Sequence, residues 1–197
     1  GDEYPYEHIV RLTAVSGELL PLQSQMENMR NTKPPLLFWQ GIASTGWGKD
    51  WTLWQLRYPS VLYTLLTAAM LFLLGRKLTG KLETGFIAAL TFLAFFTTYR
   101  FGRPFLTNPP EVFWIFLPFF VLLHWRQTFE SRFVIPLLLG ISIGIGFLYK
   151  SFALGLPVTL GLGGWYLHQR NYRVLPFLKR DALKVVIAVS VAVAMFA

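Results

Sequence analysis

The chain has 197 residues, of which 54% are hydrophobic, 17% aromatic and only 14% charged. This composition is too hydrophobic for an ordinary soluble domain, so we expect an integral membrane protein. The net charge of +8 does not indicate a nucleic-acid surface, because the cations lie in short clusters between apolar runs, where juxtamembrane residues belong. With no cysteine, this chain has no disulfides, cysteine-ligated iron–sulfur clusters or thiol catalysis.

The first 56 residues are polar and aromatic, and we expect them to contain structure, because a connection of this length is seldom irregular throughout. Residues 3–15 predict a short amphipathic helix that lies on the membrane and is broken at Gly17. The apolar positions that recur at helical spacing are Ile9, Leu12, Val15 and Leu19. Residues 34–44 predict a second short helix. Residues 46–48 predict a turn, followed by a brief helix that leads into the first span.

Residues 57–197 predict about six membrane-spanning helices, so the predicted fold is an all-α, polytopic transmembrane bundle with short amphipathic helices in its first loop. The predicted spans are residues 58–74, 84–99, 111–125, 133–149, 152–167 and 185 onward. Two sets of closely spaced glycines predict tight helix packing: Gly140, Gly144 and Gly146, and Gly161, Gly163 and Gly164. Because the chain starts with glycine and its last apolar run has about 13 residues against about 20 for a span, we expect a piece of a longer protein.

The distribution of cations predicts the topology of these spans. Ten of the 18 lysines and arginines lie in three short linkers, within residues 76–81, 126–132 and 170–184. The positive-inside rule puts these linkers in the cytoplasm, and the first loop and residues 100–110 on the opposite side. This topology gathers a set of polar side chains at one membrane face: Asp2, Glu3, Lys33, Arg100, Arg103, Asn108 and Lys150.

Asp2 and Glu3 open the first predicted helix. Acidic residues there interact favourably with the positive end of the helix dipole, and aspartate is a preferred N-cap. A purely structural role at the helix start is therefore one alternative for both residues. The functional alternative is that one carboxylate at the bilayer boundary acts as a general base and removes a proton from an attacking hydroxyl. The residues alone leave both alternatives open.

Two lysines lie beside predicted helix starts on this face. Lys33 precedes a pair of prolines, with Asn31 or Thr32 available as the cap, so the helix N-terminus and the lysine together can hold a phosphate. A lysine that anchors the chain at the interface is the structural alternative. Lys150 repeats the arrangement, with Ser151 as the cap, and an ionisable residue between two spans is a functional-site hypothesis.

Asn108 and Glu111 flank two prolines, and this pattern predicts a capping box with Asn108 as the N-cap. Both residues can therefore be structural. The histidines show no spacing typical of a metal site: His8, His124 and His168.

Five segments in this chain, taken together and in this order, resemble a known family. They are Asp2-Glu3-x-x-Tyr6, Lys33-Pro34-Pro35, Arg57-Tyr58-Pro59-Ser60, residues 106–114 and Gly140-x3-Gly144-x-Gly146-x3-Lys150. The family is the GT-C membrane glycosyltransferases, in the branch that contains the lipid A aminoarabinose transferases and bacterial enzymes similar to protein mannosyltransferases. The resemblance extends over nearly the whole chain and implies the N-terminal transmembrane part of such an enzyme, in a bacterial inner membrane with its active site facing the periplasm or exterior.

The resemblance also implies a function, namely transfer of a sugar from a polyprenyl-phosphate donor to a lipid, protein or glycan acceptor, with inversion by single displacement. Asp2 and Glu3 are then the catalytic carboxylates. The implied contacts to the donor phosphate are Lys33, Lys150 and Arg103, and the implied substrate-positioning residues are Tyr6, Asn108 and Glu111. No cofactor is implied, and a divalent metal lacks support, because two acids of the branch are here Thr32 and Asn108.

Two other classes of protein fit the same cations. A transporter or flippase component for a lipid-linked sugar would also need them at the headgroup level, and in a non-catalytic scaffold they would be simple anchors. The predicted span interiors contain almost no ionisable groups, which disfavours a transporter.

Overall fold

A computed structural model of the chain describes residues 2–24, 33–125, 131, 133–150, 155–169 and 171–196. Every regular element in these ranges is a helix, so the predicted all-α class is confirmed. The helices are α1 (Glu3–Ser16), α2 (Leu36–Ser44), α3 (Leu53–Thr79), α4 (Leu82–Ala94), α5 (Phe96–Phe101), α6 (Asn108–His124), α7 (Val134–Lys150), α8 (Gly155–Gln169) and α9 (Val174–Phe196). The chain divides into two compact units, Gly1–Phe113 and Trp114–Ala197.

Helix α1 has the predicted extent and ends at Gly17, whose φ of 75° lies in the left-handed region that glycine adopts without penalty. Of the predicted apolar series, Ile9 is buried within the protein, Val15 is 86% exposed, and Leu19 lies beyond the helix. Steps of three residues fall about 60° short of a full turn, so such a series winds around the helix. The face that is buried alternates steps of three and four instead: Tyr6, Ile9, Val10, Thr13 and Ala14.

Helices α1 and α2 pack side by side and contribute buried side chains to the first unit. The rings of Tyr6 and Phe38 meet edge to face, with centroids 5.7 Å apart. Gly41 permits a close approach, because a Cβ there would lie 2.9 Å from Cγ2 of Val10. Residue 6 of α1 contacts residue 38 of α2, and residue 10 contacts residue 41, so residue numbers increase in the same direction along both helices. Helices α1 and α2 are therefore parallel, and their N-termini lie at the same end.

Helix α3 is the one helix within the described ranges that is long and apolar enough to cross a membrane, and its 27 residues extend over about 40 Å. The predicted turn at residues 46–48 is confirmed by three consecutive positive φ angles. The helical segment predicted after it is present but is not a separate helix, since α3 starts at Leu53 and continues through the predicted span. Thr52 Oγ1 accepts the backbone N–H of Gln55 at 3.1 Å and so caps α3.

The predicted span at residues 84–99 is wrong as a single helix, because α4 and α5 are separated at Phe95, whose ψ of 133° is extended. The aromatic and β-branched residues that follow have low helix propensity, which favours a break there. Helix α4 packs on α3 as an antiparallel hairpin. A Cβ on Gly85 would lie 2.6 Å from the carbonyl oxygen of Phe72, so only glycine allows this contact.

In the second unit, α7 and α9 pack closely at the predicted glycines. A Cβ on Gly140 would lie 2.7 Å from the carbonyl oxygen of Ala188, and one on Gly144 would lie 3.0 Å from Met195. Residue numbers at these contacts increase in the same direction on both helices, so α7 and α9 are parallel. The packing prediction is wrong for residues 163 and 164, where a Cβ would meet nothing within 4 Å.

The remaining helices follow the predicted spans with shifted ends. Helices α6, α7 and α8 lie within a few residues of the predicted ranges. Helix α9 begins at Val174, well before the predicted residue 185, because its basic segment is helical as well. The length and apolarity of α3 support one crossing, and the number of six spans stays a prediction.

Candidate active site

The carboxylate of Glu3 holds three segments of the first unit together. It accepts hydrogen bonds from Arg57, from Nε at 2.6 Å and from Nη2 at 2.5 Å. Oε1 also accepts the backbone N–H of Phe105 at 2.8 Å. Because these partners are 54 and 102 residues away in sequence, the Glu3 cluster (Glu3, Arg57 and the Phe105 N–H) ties the start of α1 to α3 and to the loop before α6.

The cluster also sets the protonation state of Glu3. Burial raises the pKa of this carboxyl, but the hydrogen bonds from Arg57 and Phe105, together with the charge of Arg57, outweigh burial and bring the pKa below its ordinary value of 4.5. Glu3 is therefore ionised at neutral pH and is a weak proton acceptor.

This direction of shift predicts how stability depends on pH. Because the pKa of Glu3 is lower in the folded chain than in the unfolded one, its contribution is present above pH 4.5 and is lost as the pH falls through the folded-state value. We expect the thermal midpoint to fall as the pH is lowered from neutral to below 4.5, with a smaller fall in Glu3→Gln. Thermal unfolding of both proteins across this range is the measurement, and equal slopes would contradict the prediction.

Asp2 lies directly before α1, next to the Glu3 cluster, and its side chain is exposed. Its backbone occupies the N-cap position, with φ −67° and ψ −10°, but its side chain makes no capping hydrogen bond. The carbonyl oxygen of Asp2 accepts the N–H of Tyr6 at 3.3 Å. The Asp2 carboxylate is therefore not occupied by a capping hydrogen bond and is accessible to solutes.

Lys33 and the N-terminus of α2 lie at the same end of the helix pair as Asp2. Helix α2 starts at Leu36, two residues later than predicted, because Pro35 stays outside as the N-cap without a side-chain hydrogen bond. The Lys33 side chain is exposed. The predicted caps Asn31 and Thr32 lie outside the described residues. Tyr6, one turn beyond Asp2, is buried, and its ring lies against Phe38.

The loop before α6 carries Arg103, which is exposed and lies over the ring of Tyr99 at 5.0 Å from its centroid. Two contacts hold this loop. Thr64 Oγ1 donates to the carbonyl oxygen of Gly102 at 2.7 Å, and Glu3 accepts from Phe105. These contacts hold the backbone on both sides of Arg103, against α3 and the start of α1.

Helix α6 begins at Asn108 itself, so the predicted N-cap is shifted by one residue. The backbone N–H of Glu111 donates to the carbonyl oxygen of Thr107 at 3.0 Å, which puts Thr107 in the position expected for Asn108. Asn108 lies in the first turn of the helix and lines a cavity of about 100 Å³ together with Thr64. Glu111 follows one turn later.

Lys150 is the last residue of α7 in the second unit, and its side chain is exposed. Its predicted cap, Ser151, lies outside the described residues. The contact of Lys150 with a donor phosphate stays a prediction, while the other predicted site residues all belong to the first unit.

The sequence indicated Arg57 only as part of a segment that resembles the family, without a role, and it did not indicate the N–H of Phe105. An arginine at the start of a membrane span resembles an ordinary interfacial anchor, so its position beside an apolar run gives no sign of a distant carboxylate. A backbone N–H is present at nearly every residue, and only the fold selects the one at Phe105.

Curated relatives are similar in sequence to much of this chain. An undecaprenyl phosphate-alpha-4-amino-4-deoxy-L-arabinose arabinosyl transferase 2 of Proteus mirabilis is 29% identical over 166 residues, which are 81% of this chain and 29% of that protein. The protein of the same name from Pseudomonas fluorescens is 28% identical over 196 residues, or 96% of this chain and 34% of that protein. The chain thus spans about a third of the length of these relatives. No solved structure matches.

The family comparison covers almost all of the chain. The model of the family described as dolichyl-phosphate-mannose-protein mannosyltransferase matches residues 2–196. This range includes the Glu3 cluster, both lysines and every helix of the two units. The chain belongs to the dolichyl-phosphate-mannose-protein mannosyltransferase family of GT-C glycosyltransferases.

Proposed function

We propose that the full-length protein transfers a sugar from a polyprenyl-phosphate donor to an acceptor on the extracytoplasmic side of the membrane. The family and the names of the relatives support sugar transfer from a lipid phosphate. The structural observation that carries the proposal is the Glu3 cluster. It brings an exposed carboxylate, Asp2, and an exposed cation, Arg103, to the same end of the first unit as the N-terminus of α2.

Asp2 is the proposed general base. Its carboxylate takes the proton of the acceptor hydroxyl while the hydroxyl oxygen attacks the anomeric carbon of the donor. The bond from that carbon to the phosphate oxygen breaks, and the electron pair leaves with the polyprenyl phosphate. A phosphate is a good leaving group, so cations can stabilise its charge without an acid, and this single displacement inverts the anomeric carbon. The proposed cations are Lys33, Arg103 and Lys150.

Glu3, predicted as a second catalytic carboxylate, is proposed to position Asp2 and Arg103. Its low pKa and its three accepted hydrogen bonds make it a stable acceptor, which suits positioning better than proton transfer. Tyr6, Asn108 and Glu111 are proposed to position the substrates.

We propose an orientation in which this end of the first unit faces the periplasm or exterior of a bacterial inner membrane. The positive-inside distribution of lysine and arginine supports it. The parallel course of α7 and α9, with α8 between them in sequence, agrees with two outward crossings and one return.

The proposal is tested with full-length protein in proteoliposomes that contain undecaprenyl-phosphate aminoarabinose and lipid A. We expect mass spectrometry to detect aminoarabinose-modified lipid A, and Lys33→Ala to raise the donor KM about tenfold or more, because a charge-assisted contact to the phosphate is lost. Lys49→Ala is the control, since Lys49 is another exposed lysine of the first unit. Donor movement across the bilayer without product would favour a flippase, and an unchanged KM would make Lys33 an anchor.

A further inference from the structure

A cavity in the second unit lies apart from the candidate active site. It has a volume of about 460 Å³ and is enclosed by α7, α8 and α9 together with Leu122 of α6. Among the described residues, its lining consists of apolar side chains and one glycine, apart from Thr159, Asp181 and Lys184. Such a volume is typical of a ligand site, and such a lining favours a hydrocarbon ligand.

The shape of the cavity limits what can occupy it. Its lining extends from Ile135 to Phe147 on α7 and from Asp181 to Val193 on α9, which is about 18 Å along each helix. A single extended hydrocarbon chain fits a space of this volume and length.

The cavity opens sideways along one face of α9. Val185, Val189 and Val193 line it at helical spacing, yet these side chains are 46%, 56% and 58% exposed. A mouth on the side of a membrane helix faces lipid, so the chain can enter from the bilayer. The length of about 18 Å also matches the hydrocarbon depth of one leaflet, which is half of about 30 Å.

Charge at one end of the cavity selects the headgroup. Asp181 is 2% exposed and pairs with Lys184 at 3.0 Å, so the two charges largely cancel there. Residues 170–184 nevertheless contain five cations against this one acid, and among them Arg173 and Lys179 are exposed. Basic clusters beside a membrane attract anionic lipids.

We propose that this cavity, which we call the α7–α9 cavity, binds one acyl chain of an anionic phospholipid, whose headgroup lies beside Lys179. This lipid comes from the leaflet at the Asp181 end and is not a substrate of sugar transfer. The site is thus a lipid-binding site separate from the donor site, and its occupancy is independent of the proposed reaction.

Two matched pairs of variants of the full-length protein test this proposal. Gly163 lines the cavity and Gly164 does not, and a Cβ at either position meets nothing within 4 Å, so Gly163→Leu and Gly164→Leu should both fold. Val189 lines the mouth, whereas Val186, 59% exposed, does not, so Val189→Trp and Val186→Trp form the second pair.

Each purified variant is titrated with phosphatidylglycerol, phosphatidylcholine or undecaprenyl phosphate, and bound lipids are counted by native mass spectrometry. We expect tighter binding of phosphatidylglycerol than of phosphatidylcholine. Gly163→Leu and Val189→Trp should raise the Kd for phosphatidylglycerol about tenfold, because the larger side chain displaces about two methylene groups of the acyl chain from the cavity. The two control variants should leave this Kd unchanged. Equal binding by all variants would overturn the proposal. So would a selective loss of undecaprenyl phosphate, since the cavity would then hold the donor.

Discussion

Replacing Asp2 by asparagine in the full-length protein is expected to lower the rate of sugar transfer by about 10²- to 10⁴-fold, the range that a positioned general base contributes. Asparagine has nearly the same size but cannot accept the acceptor's proton. Because the Asp2 side chain is exposed and makes no capping hydrogen bond, the change removes no contact that stabilises the fold. The measurement is the initial rate of product formation at saturating donor, with the donor KM determined in parallel.

Asp50→Asn is the matched control, because Asp50 is another exposed aspartate of the first unit and undergoes the same isosteric change. We expect it to keep the wild-type rate. Turnover at that rate in Asp2→Asn would show that Asp2 is not the base. A far larger loss of kcat in Glu3→Gln, at an unchanged thermal midpoint, would instead assign proton transfer to Glu3.

Removing the carboxylate of Glu3 is expected to have the largest effect on stability. Glu3→Ala leaves the guanidinium of Arg57 and the N–H of Phe105 without their acceptor, and the Arg57 side chain is only 34% exposed. Loss of a charge-assisted, partly buried contact of this kind typically costs about 2 kcal/mol. Thermal unfolding of the purified full-length protein should therefore show a clearly lower midpoint, and sugar transfer should fall as well.

Glu7→Ala is the matched control, one turn further along α1. Glu7 pairs with Arg11 at 2.9 Å, but the Arg11 side chain is 52% exposed, and surface pairs contribute about 0–1 kcal/mol. We expect a much smaller change in the midpoint. Arg57→Ala should behave like Glu3→Ala, and the double variant should be little worse than either, because both remove one interaction. Equal midpoints for Glu3→Ala and Glu7→Ala would refute a special role of the Glu3 cluster.

Local signals in the sequence were sufficient to locate most helices. Glycine at position 17 ends α1, and paired prolines precede α2 and open α6, because these residues restrict the backbone whatever surrounds them. The buried face of α1 was not predictable in the same way. Its partner is α2, and the sequence contains apolar residues on more than one side of α1. The break at Phe95 was equally hidden within an apolar run.

In the candidate site as well, features that depend on neighbouring residues in the sequence were predictable, and features that depend on distant residues were not. The acids at the start of α1 and the lysine before α2 were found because helix starts have recognisable chemistry. The different environments of Asp2 and Glu3 were not foreseen, because they depend on an arginine 54 residues away and on one peptide group 102 residues away. Side chains can be read from a sequence, but the partner of a buried carboxylate follows from tertiary packing.

The length of α3 bears on how deep the reaction centre lies. Arg57 and Arg76 are 19 residues apart on this continuous helix, or about 28 Å, which is close to the hydrocarbon thickness of about 30 Å. In the proposed orientation, Arg76 lies at one membrane surface and Arg57 at the other, in the plane of the phosphate groups. The proposed lipid-linked donor would then present its phosphate to the Glu3 cluster while its tail stays in the bilayer, and the proposed acceptor would reach the same plane from outside.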